Sequence, residues 1–96
     1  MSTLTLTSNQ ARPLRPLVEA ALGNQLRLLQ AGIERTEARL RVFEAEYGLS
    51  TEEFVRRYEA DEILETLAYA EWIGEYRLLA RLREKAETLR GIHFAD

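Results

Sequence analysis

The side chains able to do chemistry are few in this chain, and their spacing does not support it. His93 is the one histidine and there is no cysteine. A structural zinc site would need four ligands of Cys or His type, which this chain lacks. Glu71 and Glu75 stand four residues apart, but carboxylate di-metal bundles combine such acids with Glu-x-x-His pairs, and none occurs here. The two acids therefore read as a solvated helix face. Nucleophilic catalysis needs a serine with a histidine and an orienting group, and nothing in the sequence supports that role for Ser2, Ser8 or Ser50. Glycine-rich phosphate loops of either common pattern are missing. These residues point to a non-enzymatic protein with no catalytic residue, no cofactor and no metal.

Charge narrows the partners. Net charge is -3 and the isoelectric point is near 5.3, against general nucleic-acid binding. Acids crowd the stretch 52–75 and bases the stretch 77–90. That distribution suits the dipole of one long helix, and it could also present an acidic patch to a basic partner. The alternating Thr-Leu-Thr-Leu-Thr of residues 3–7 has the period of a strand, and a strand followed by helices resembles ribbon–helix–helix DNA binders. Its side chains are not those that read bases, so a DNA-binding regulator is the weaker alternative. A strand this short does not persist by itself and is expected to be disordered or to pair with another chain. No apolar run is long enough to cross a membrane and the start is unlike a signal peptide, so a cytoplasmic location is expected.

The elements that would position any site are helical. From Leu22 the residues Leu26, Leu29, Ile33, Thr36, Leu40, Phe43 and Tyr47 recur in alternating steps of four and three, a heptad stripe on one helix face. The helix should open near Pro16, which suits a first turn, and close at Gly48. Gly23 and Gly32 inside it mark either close helix approach or tolerated weak points. Glu37 and Arg41 stand in the favourable four-residue order for an ion pair. Ser50 and Glu53 match a capping box opening a short helix that turns Phe54, Val55 and Tyr58 inward. Asp61 is the expected N-cap of a second long helix running from about Glu62 to Arg90. Its main stripe is Leu64, Ala68, Trp72, Tyr76, Leu79, Leu82, Ala86 and Leu89. Beside it lie Ile63, Leu67, Ala70, Ile73 and Leu78, making a face wider than one helix can cover.

The run Tyr47-Gly48-Leu49-Ser50-Thr51-Glu52-Glu53-Phe54, then Tyr58, the acidic joint and Glu71-Trp72, resembles a family of small helical prokaryotic proteins from two-gene, toxin–antitoxin-like modules. The likeness spans roughly residues 15–91. It implies a protein that binds and neutralises a toxin-like partner encoded next door, and it implies no catalytic residue.

The expected architecture is all-α: an antiparallel helical hairpin of two long helices with a short connecting helix, dimerising into a helix bundle. Residues 1–14 form a flexible or strand-like arm and residues 15–96 the hairpin domain. The core stripe comprises Leu22, Leu26, Leu29, Ile33, Leu40, Phe43, Tyr47, Phe54, Trp72, Tyr76 and Leu79. Leu67, Tyr69, Ala70, Ile73 and Leu78 are the expected partner interface. The expected function is protein–protein interaction, with an antitoxin-like role. A self-assembling structural homodimer is the alternative.

Overall fold

The computed structural model describes residues 3–5, 7 and 13–94 of the chain. Periodicity alone places its first long helix. Helix α1 runs Arg15–Tyr47, with Pro16 in its first turn. It ends where Gly48 takes the left-handed conformation (φ 62°) that costs glycine little. The amides of Gly48 and Leu49 both return to the Glu44 carbonyl, closing the orphaned end of the helix, and Leu49 tucks against the core.

Helix α2, Thr51–Glu59, opens at Ser50, whose hydroxyl accepts from the Glu53 amide at 3.1 Å. The reciprocal half of the expected capping box does not form this way. The Glu53 carboxylate turns to Arg56 and Arg57, while a carboxylate from α1, Glu44, accepts from the Thr51 amide at 2.7 Å.

Helix α3 is Leu67–Arg90, shorter than expected. Asp61 is not its N-cap. That residue adopts φ 56° in the turn that ends α2, and its amide bonds back to Tyr58. The cap is Thr66, whose hydroxyl accepts from the Tyr69 amide at 3.1 Å. The physical reason lies in packing. Phe54 on α2 and Trp72 on α3 stack face to face, so the chain must reverse between them, and a helix running on from Glu62 could not do so. Ile63 and Leu64 thus belong to the connection 60–66, and Leu64, expected on the main stripe, is 89% exposed.

Helices α1 and α3 pack along each other as an antiparallel hairpin measuring 60 × 22 × 18 Å. Two ion pairs set the register, Arg83 with Glu37 at 2.8 Å and Arg39 with Glu75 at 3.3 Å. Glu37 therefore reaches across to α3, not along α1 to Arg41. Pairs this exposed are worth about 0–1 kcal/mol each, so they select register more than they stabilise. In this register α1 projects past the end of α3 by about three turns. Residues Thr3–Leu4 pair in parallel with His93–Phe94 of the same chain, where the sequence suggested disorder or pairing with another molecule. The rest of the 1–14 arm falls partly on residues outside those described.

The core contains Leu29, Ile33, Leu40, Phe54, Trp72 and Leu79 as expected, with Leu26 and Phe43 packed against it. Leu22 is only half-buried, and Tyr47 and Tyr76 stay partly exposed near the edges of the interface. Thr36 is buried on the stripe and satisfies its hydroxyl on the Gly32 carbonyl at 2.8 Å. The two α1 glycines differ. Gly32 faces Leu82, which a β-carbon would meet at 3.4 Å, whereas Gly23 would meet only the flexible Arg27 side chain.

Glycine substitutions separate backbone from packing. A β-carbon at Gly74, inside α3, would touch nothing within 4 Å, so Gly74→Ala should stabilise by about 1 kcal/mol. Gly48→Ala meets no atom either, yet should destabilise by about 1 kcal/mol through its left-handed φ. Urea unfolding of the two variants checks both signs.

Candidate functional site

Chemistry-bearing side chains do not converge. His93 is exposed beyond the end of α3. Glu75 is committed to Arg39 and Glu71 points to solvent. Among the described residues no three of His, Cys, Asp and Glu gather to hold a metal, and no buried side-chain polar atom lacks a partner. Among the described residues no helix is long and apolar enough to cross a membrane.

What the fold builds is an aromatic junction where the three helices meet. Trp72 is fully buried and sandwiched. Phe54 stacks on one side with ring centroids 3.9 Å apart, and Phe43 stacks at 5.5 Å. Tyr47 packs at 5.7 Å and closes edge-on against Tyr69. Contacts of this kind are worth about 0.5–1.5 kcal/mol each beyond the area they bury. The indole N–H has no water to reach, and it donates to Thr51 Oγ1 at 3.0 Å. Thr51 thus links Trp72 on α3 to Glu44 on α1 from the first turn of α2.

Around that junction the arginines organise the acids. Glu53 accepts from Arg56 and Arg57, and the hydrogen bonds from these two arginines hold its carboxyl down at about 2 against a usual 4.5. Arg56 also reaches Glu62 in the connection at 3.1 Å, tying the turn to α2. The Tyr58 hydroxyl donates to Glu65 at 2.9 Å, and the carboxylate, with burial, pushes the phenol upward.

The expected partner line divides under this geometry. Ile73 is only 4% exposed and belongs to the core with Phe54 and Val55, because α2 covers the flank of α3 that the heptad reading left open. Tyr69 is half-buried against Phe54, and Ala70 and Leu78 are half-buried. Leu67 alone of the five is fully presented, at 79% exposure. Leu64 joins it. The two leucines stand out from the α2–α3 corner among the exposed acids Glu59, Asp61, Glu65 and Glu71. Sequence reading passed over Leu64 as a surface residue because its spacing continues the Trp72 stripe. No local signal separates the two caps, because aspartate at Asp61 is at least as good an N-cap residue as threonine at Thr66.

No protein-family model, curated protein or solved structure matches this chain.

Two measurements test the junction. Thr51→Val keeps the shape but leaves the buried indole N–H without an acceptor, and should cost about 1–3 kcal/mol in urea unfolding, with Thr51→Ser losing less. For Glu53 the folded carboxyl titrates below its unfolded value. Its stabilising contribution is present above about pH 4.5 and is lost as pH falls toward about 2. Glu53→Gln should flatten that part of the melting-temperature profile relative to wild type.

Proposed function

We propose that this chain is a non-enzymatic protein-binding module whose contact surface is the α2–α3 corner. One observation carries the reading: Leu64 and Leu67 are exposed to 89% and 79% although each is a large apolar residue beside a well-filled core. Isolated apolar side chains on a surface are common, but these two sit together on a corner tied down by the Arg56–Glu62 and Tyr58–Glu65 contacts. A tethered apolar projection loses little freedom on binding, which favours its use as an anchor. The acids around it suit a partner with an apolar cleft rimmed by lysine and arginine, since charge complementarity steers encounter and suppresses wrong partners.

The resemblance in the Tyr47–Phe54 run gives the specific form of this reading, an antitoxin-like protein that neutralises a toxin-like partner encoded beside it. Leu67 and Tyr69 remain part of the surface. Ala70 lies at its margin, whereas Leu78 stands about three turns farther along α3 and Ile73 belongs to the core.

Co-expression with the neighbouring gene product is the test. The wild-type chain should co-purify with it, and Leu64→Asp with Leu67→Asp should abolish that association while leaving the unfolding free energy in urea unchanged within about 0.5 kcal/mol, as expected for exposed sites. A complex that survives the double substitution overturns the corner as the contact surface, and the absence of any complex overturns the antitoxin-like role.

A further inference from the structure

The hairpin uses one face of α1 and leaves a second heptad stripe uncovered on the opposite side. Leu17, Leu28 and Val42, spread along α1 from its first turn toward its end, are exposed to 64%, 59% and 64%. They fall in one register, with Ala21, Ala31, Ala38 and Ala45 at the intervening positions in steps of four and three. The two polar members of the stripe are Asn24 and Arg35. It extends over about four heptads, roughly 42 Å of helix. Neither α2 nor α3 explains it, because α3 packs on the other side, against Leu29, Ile33 and Leu40, and α2 meets α1 near its end, at Glu44. This stripe was not evident beside the stronger core heptad, since alanine adds little to an apolar pattern.

We propose that a second copy of this chain docks antiparallel along this outer face of α1, two hairpins set back to back. The stripe is self-complementary in that arrangement and in one register. Turning a copy about a two-fold axis between Leu28 and Ala31 places each Leu28 against Ala31 of the second copy, and Ala21 against Ala38. Leu17 meets Val42, large against medium, at the two ends. The same operation brings the two polar members, Asn24 and Arg35, opposite each other, so neither faces an apolar side chain. It also aligns the flanking charges, setting Arg27 beside Glu34 of the second copy, twice by symmetry. Both are exposed on α1. Flanking ion pairs and buried polar layers, here two related by the symmetry, are the devices that fix orientation and register in paired helices. The alanines let the two backbones approach closely. This surface is independent of the α2–α3 corner and lies away from the α3 line expected to dimerise. Closed this way, the assembly leaves the corner leucines free at both ends.

Analytical ultracentrifugation of the full chain tests the proposal. Wild type should sediment at twice the 11.1 kDa chain mass. Leu28→Glu should be monomeric with an unchanged helical circular-dichroism spectrum, because Leu28 is exposed and lies outside the core. Arg27→Glu alone and Glu34→Arg alone should each weaken self-association by at least about tenfold through like-charge contact. An equimolar mixture of these two variants should regain wild-type association as a heterodimer, since every acid then meets a base. A wild-type monomer even at millimolar concentration, a dimer indifferent to Leu28→Glu, or a mixture that fails to recover overturns the proposal.

Discussion

The stacking of Phe54 on Trp72 is the constraint from which the rest of the architecture follows. Two antiparallel rods alone would bury a narrow seam and leave the wide aromatic side of α3 in water. Folding a third, short helix over that side buries the indole between two near-parallel rings, and the chain must then reverse twice, once on each side of α2. The left-handed turn at Gly48 and the positive φ at Asp61 are the backbone consequences. Each is placed where a regular helix would have carried Phe54 away from its partner.

Polar groups at the junction do the complementary work. Trp72 brings a donor that burial would otherwise strand, and Thr51 supplies the acceptor. Thr51 occupies the first turn of α2, where backbone amides lack partners, and the Glu44 carboxylate satisfies its amide there. One hydroxyl and one carboxylate thus connect three helices. The ion pairs farther along the hairpin lie at the edge of the seam and choose among registers that the apolar stripe alone would leave close in energy.

Much of this was legible in the residues. The long uninterrupted heptad from Leu22 to Tyr47 named α1 and its buried face, and Gly48 named its end. Ser50 announced α2, and the bulk of Trp72 with Leu79 announced a second helix. The start of α3 was not legible, because Ile63 and Leu64 continue the helical period and Asp61 is an acceptable cap. Only the tertiary demand that Phe54 lie on Trp72 decides for Thr66. The division of the partner line had the same origin. Ile73 looks free on a two-helix hairpin and becomes core once a third helix lies across it, which no local pattern states. The outer stripe of α1 went unread for a different reason, the weak apolar signal of alanine.

Trp72 is the chain's one tryptophan. Its indole emits from a dry aromatic sandwich whose walls come from α1 and α2, so its fluorescence carries an optical signature of all three helices at once. Loosening any one of them would admit water and redden the emission. The overhanging start of α1 lies at the far end of a 60 Å rod and is optically silent by the same geometry. The molecule is therefore built with a native reporter for its corner and none for its opposite tip.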